Sequence, residues 1–345
     1  MTQSAPNVTP RRARYEGFRS TIKAVGTGER GRRALGFAEA RAAIAALLAG
    51  EVSPAQAGAF LIAMRLKGET PEELAGFAQG LRDAAAELRP PPGLPLVACA
   101  GAYDGVSEAP QLSLAAAAAA AACGTGVVVH CGTTLGPKFG ITAADVLGAL
   151  GGPSSPSPAE SEAMLARAGV SVVHAAESLG GWRALAELRD EIGPRGPVHS
   201  AEKLVDWFGA SRFVVGYTHH PYRDRLLGAL SLLGARAAVA VRGVEGSDVL
   251  RPGRPVADTI GGPLELPEEL GFAIEPAHGA QASAELTRAA LAGDADRAVG
   301  VAVALSAGVR LFAAGVAQTP LRGASAARAA IGDGRALAVL EALVG

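Results

Sequence analysis

Few features of this chain invite a quick assignment. Only three cysteines occur in 345 residues, Cys99, Cys123 and Cys131, and no two of them have CxxC or another metal-binding spacing. Reduced, buried thiols are expected, not a disulfide framework or a zinc site. Aromatics are scarce at 4%, while hydrophobic residues reach 49% with alanine the main contributor. Such a core has to be built from closely packed helices and aliphatic strands. The formal net charge of −1 supplies no global attraction to nucleic acid or an anionic membrane. The longest apolar run, Leu114 to Cys123, is about half of what a bilayer span needs. Residues 1–10 contain no apolar signal-peptide core. Together these absences predict a soluble, cytoplasmic protein with no membrane partner. The charge is uneven, however. Residues 1–33 carry eight Arg/Lys against Glu16 and Glu29, a stretch able to contact phosphates.

The punctuation is easier to read. Residues 1–14 are polar and proline-bearing, which predicts a disordered tail. Three helices should follow. The first runs from Phe37 to Ala49, with Ile44, Leu47 and Leu48 on one face and Gly50 as its stop. Ser53-Pro-Ala-Gln56 and Thr70-Pro-Glu-Glu73 open the other two, each with a capping box and a proline at the first helical position. Phe60, Leu61 and Met64 form the stripe of the second; Leu74, Phe77, Leu81 and Leu88 form that of the third. Pro90 to Pro92 then make a stiff connector. Beyond Leu94 the pattern changes to strand-like runs (96–98, 127–129, 170–173, 213–215, 237–241) alternating with helical ones (113–123, 142–150, 158–168, 222–233, 282–291). Two helical stretches, 298–314 and 324–343, close the chain. Alternation of this kind predicts an α/β fold around a mainly parallel sheet, with ligands at the carboxyl ends of the strands. The expected division is a helical domain at 15–92, joined by part of 176–207, and an α/β domain at 93–345.

The most telling segment runs from Gly124 to Gly140. A buried strand, Val127 to Val129, leads into a glycine-rich turn carrying His130, Gly132, Thr133, Thr134 and Lys138. Glycines let backbone N–H groups approach an anion, and hydroxyls and a lysine add donors and charge, so the turn looks like a phosphate cradle. It fits neither the Walker pattern nor the GxGxxG fingerprint. Thr142 to Asp145 reads simply as a helix cap. The adjacent pair His219-His220 cannot point one way from a strand, and reads as a helix-start loop near the site.

The run from Gly50 to Phe77, with Gly-Glu, Phe60-Leu61, Arg65 and Lys67-Gly-Glu-Thr70, is similar to the helical domain of glycosyltransferase family 3. That family contains the anthranilate phosphoribosyltransferases and the pyrimidine nucleoside phosphorylases. The resemblance extends through Ala121 to Gly124, Asp145 to Gly151, and Gly332 to Leu340, and the length suits the anthranilate branch. It implies a helical domain beside a phosphoribosyltransferase-like α/β domain, a homodimer formed through the small domain, and ribosyl transfer assisted by Mg²⁺. On this resemblance Gly101, Tyr103, Asp104, Gly105, Ser113, His130, Gly132, Thr133, Thr134 and Lys138 would hold phosphoribosyl diphosphate or another ribosyl phosphate. Arg189, Arg195, His199 and Lys203 would hold an aromatic or heterocyclic acceptor, and Asp248 with Glu245 would hold the metal. The family's Gly-Thr-Gly-Gly-Asp-Gly is here Ala100-Gly-Ala-Tyr-Asp-Gly105, and its Asp-Glu metal pair is Asp248-Val249. These replacements mark a divergent branch and argue against true anthranilate activity. The alternative is a non-catalytic nucleic-acid-binding protein on the same fold.

Overall fold

The structure is a computed structural model that describes residues 16–267 and 273–345. The tail expected at 1–14 lies outside the described residues. The chain opens with helices α1 (Phe18–Gly26), α2 (Phe37–Leu48), α3 (Pro54–Lys67) and α4 (Pro71–Asp83). Both capping boxes form: the Ser53 hydroxyl accepts from Gln56 N–H, and the Thr70 hydroxyl accepts from Glu73 N–H. Helix α1 was not expected; its Phe18 ring packs edge-on against Phe60 of α3, with centroids 5.3 Å apart. Leu47, Leu48, Leu74 and Phe77 are all buried inside the chain's own core. They therefore form no exposed face for a second copy.

The α/β region continues with β1 (Leu96–Ala100), α5 (Ser113–Ala121), β2 (Gly126–Cys131), α6 (Ala143–Leu150), α7 (Pro158–Ala168) and β3 (Val170–His174). Three short helices, α8 (Ala175–Ser178), α9 (Trp182–Ile192) and α10 (Val198–Ala201), return to pack on α2, α3 and α4. The chain re-enters the sheet as β4 (Arg212–Tyr217), followed by α11 (His220–Leu232), β5 (Ala237–Arg242), β6 (Ala257–Thr259) and β7 (Gly262–Pro263). Helices α12 (Gly279–Ala292), α13 (Arg297–Ala314), α14 (Pro320–Gly332) and α15 (Arg335–Val344) complete it. The helix expected at 324–343 is thus two, broken at Gly334, whose φ of 82° suits glycine.

The seven strands are ordered β3-β2-β1-β4-β5-β6-β7. The first five are parallel, and only β6 and β7 run antiparallel. The mainly parallel α/β sheet read from the sequence is present. Alternation along the strands divides the interior in two. Ala98, Ala100, Val128, Phe213 and Val215 face the N-terminal helices and α8 to α11. Val97, Cys99, Val127, Val129 and Val214 face α5, α6 and α12 to α15. Helix α13 is long and apolar enough by composition to cross a membrane, yet it lies in this second core against α5 and α14. The alanine run makes α5 thin enough to be buried from Ser113 to Ala120. The carboxyl ends of β1, β4 and β5 then open toward α3, α10 and the start of α11, where a cleft forms.

Candidate active site

The cleft encloses about 270 Å³. Arg195, His199 and Lys203 enter from the 193–204 segment, Arg65 from α3, and Asp104 and Glu245 from the loops after β1 and β5. Tyr217 at the end of β4, His219 capping α11, and Tyr222 in its first turn supply an aromatic wall. Asp104 is buried, and its Oδ2 accepts from both Nε (2.8 Å) and Nη2 of Arg195. That ion pair spans the cleft from the sheet to the helical side. Lys203 donates to the Gly216 carbonyl at 2.8 Å, and burial pushes its ammonium down to about 8. His199 accepts from Gly196 N–H through Nδ1, while its buried Nε2 has no protein partner. Burial, reinforced by Arg189, holds its imidazole well below the ordinary value and therefore neutral.

Several residues expected at a ligand lie elsewhere. His130 is a core residue: it pairs through Nδ1 with the Tyr103 hydroxyl at 2.6 Å, and burial lowers its pKa to about 3. Tyr103 is almost wholly buried, yet it borders the cleft beside Asp104. Arg189 is no acceptor ligand, because it makes a buried two-pronged pair with Glu202 at 2.9 Å on each arm. Gly132 leaves room for Trp182, which a Cβ there would meet at 2.5 Å. Gly105, at φ 73°, and Gly140 let two loops press together, since a Cβ on Gly105 would stand 2.4 Å from the Gly140 backbone. Gly101 allows a similar approach to Ser247. Gly101, Gly105 and Gly140 serve backbone-to-backbone packing, a demand that reads in sequence like a phosphate cradle. Thr133 is half-buried and Thr134 exposed, and neither lines the cleft. Lys138 is turned inward, donating to the carbonyls of Gly105 (2.8 Å) and Glu245 (2.9 Å).

The carboxylates expected to hold Mg²⁺ are already committed. Buried Asp248 accepts from the Ser113 hydroxyl and, at 2.5 Å, from Arg310, a fully buried guanidinium that also donates to the Ser306 carbonyl. Glu245 gives both oxygens to the loop at 107–109. Among the described residues no group of three or more His, Cys, Asp or Glu is arranged to hold a metal ion. The residues present therefore do not fit a two-carboxylate Mg²⁺ site.

This layout, with short helices folding back on an N-terminal bundle to face the sheet's carboxyl edge, is shared with known proteins. Residues 19–85 match the helical bundle domain of a glycosyl transferase family, and residues 104–261 match its α/β domain. The anthranilate phosphoribosyltransferase of Thermus thermophilus is 34% identical over 315 residues, covering 89% of this chain and 94% of its own. The chain belongs to glycosyl transferase family 3. The Rubrobacter xylanophilus anthranilate phosphoribosyltransferase is 30% identical, over 95% of this chain and 96% of that protein. A crystal structure of the Thermus thermophilus enzyme superposes with a TM-score of 0.79 at 33% identity, covering 90% and 95% of the two chains. A Saccharomyces cerevisiae anthranilate phosphoribosyltransferase, solved with PRPP and Mg, shares the fold at 0.79 and 17% identity. Its relatives make this family 3 member one of a group of glycosyl- and phosphoribosyl-transferring enzymes.

Sequence reasoning missed Arg65, Tyr217 and Tyr222 as cleft residues. Arg65 lies inside the very run that carries the family resemblance. Tyr217 lies where ligands collect in parallel sheets, at the carboxyl end of a central strand. Both signals were available.

Proposed function

We propose that the cleft binds a phosphate-bearing ribosyl donor beside an aromatic or heterocyclic acceptor, and that the protein transfers the (phospho)ribosyl group between them. The observation that carries this reading is the meeting of Arg65, Arg195 and Lys203 with the Tyr217 and Tyr222 rings around one opening. In such a transfer the bond from the anomeric carbon to the leaving phosphate breaks, and a bond to the acceptor nucleophile forms. Negative charge grows on the departing phosphate, where fixed guanidinium and ammonium groups stabilise it more than they stabilise the bound substrate. The tyrosine faces suit a planar acceptor. Asp104 keeps Arg195 oriented, and neutral His199, whose Nδ1 accepts from the Gly196 N–H, carries its proton on Nε2 and can donate from there.

The relatives' names support the reaction class, and the crowded Asp248 argues that anion recognition rests on protein cations. Calorimetry with phosphoribosyl diphosphate, ribose 5-phosphate and anthranilate, each in Mg²⁺ and in chelator, tests this. Donor binding that survives chelation and is lost in Arg195→Ala is the expected result. No heat from any of the three ligands would sink the proposal. The nucleic-acid reading gains no support from geometry: Arg33 of the basic stretch is taken up by Glu39, 2.7 and 2.6 Å away.

A further inference from the structure

The least expected contact in the molecule is the one Glu245 makes. Its Oε1 accepts from the N–H groups of Glu108 (2.9 Å) and Ala109 (2.8 Å). Its Oε2 accepts from the N–H and the hydroxyl of Ser107, both at 3.0 Å. Lys138 Nζ stands 3.5 Å from Oε2. Three successive backbone N–H groups converging on one anion form a nest, a geometry that binds oxyanions generally. Burial pushes the Glu245 carboxyl up, but the three N–H bonds and Lys138 outweigh it and hold the group down to about 2. To reach the nest Glu245 adopts φ 49°, uncommon for a residue with a Cβ, and its side chain stays 21% exposed toward the cleft.

We propose that the Ser107–Ala109 nest with Lys138 is a phosphate-class anion site, and that Glu245 occupies it as a tethered substitute anion that a ligand phosphate must displace. A carboxylate offers two oxygens to the same donors that would meet two oxygens of a phosphate. The Glu245 carboxylate lines the cleft and takes up the nest's N–H donors, so an entering phosphate and the carboxylate exclude one another there. The site's apparent affinity is then its intrinsic affinity reduced by the fraction of time Glu245 is away. The inference rests on the cleft being the ligand site.

Glu245→Gly removes the tethered anion and relieves the positive φ; Glu245→Gln keeps the shape but loses the charge. Titration calorimetry with orthophosphate and with pyrophosphate separates a single-phosphate site from a diphosphate site. Binding should tighten at least about tenfold in Glu245→Gly and by a smaller factor in Glu245→Gln. Adding Lys138→Met to Glu245→Gly should cancel the gain. If Glu245→Gly does not unfold cooperatively, Glu245→Gln decides. Variants that bind both anions no more tightly than the unaltered protein would overturn the proposal. Lys203→Met, assayed with ribose 5-phosphate, separates this result from the functional reading. Loss of sugar-phosphate binding there, without phosphate gain in the Glu245 variants, removes only the tethered anion. The reverse pattern removes only the cleft assignment.

Discussion

Arg310 and Asp248 form a pair that no water reaches, with Ser113 as the third member. Removing one partner from such a pair leaves an uncompensated buried charge, a change that typically costs ~3–5 kcal/mol. Arg310→Met should therefore lower unfolding free energy by about that amount in urea titrations, and adding Asp248→Asn should recover part of the loss. Losses in the two single variants that simply add in the double variant would mean the two residues act independently. Lys203 makes a pH-dependent prediction. Its folded value of about 8 lies below the ordinary 10.5, so burying its charge costs stability below pH 8. Between 8 and 10.5 the unfolded chain holds the extra proton, and this group's contribution to stability rises with pH. An anionic ligand in the cleft needs the ammonium. Its affinity should fall as pH rises above 8, by at most about tenfold per unit, and Lys203→Met should flatten that profile in calorimetry.

At the scale of elements, local signals were legible and distant ones were not. The starts of α3 and α4 could be read because a capping box lies within four consecutive residues. The helix α1 escaped because it is short, has no side-chain cap at its start, and is held by a long-range contact of Phe18. The short antiparallel β6 and β7 carry too few residues for a period to show. In the site, Asp104 and Arg195 were each recognisable by motif, but their pairing across 91 positions was not. The glycines after β1 and β2 can be read two ways for a physical reason. Close approach of backbone to backbone and of backbone to phosphate demand the same residue. Gly140→Ala tests that reading: the new Cβ would sit 2.6 Å from the Val106 carbonyl. Melting should show a loss of ~1–3 kcal/mol, the usual range for overpacking, whether or not phosphate is present. A variant that keeps its stability and loses only phosphate affinity would restore the cradle.

On the scale of the whole molecule, the sheet divides a working side from a supporting side. The cleft, the ion pair spanning it and the Glu245 nest all lie where β1, β4 and β5 end. Behind the sheet, α5 is walled in by α13, α15, α12 and β2 with no face toward solvent. Ala118→Leu should cost ~1–3 kcal/mol, since neighbours on every side leave no space for the added carbons. Thermal denaturation would measure it, and a neutral outcome would show that the back layer can yield. If it cannot, an unbroken run of the smallest chiral residue has an evolutionary meaning. Descendants of this chain can change which molecule they accept by rewriting the loops in front. They have almost no freedom to do so by reshaping the layer behind.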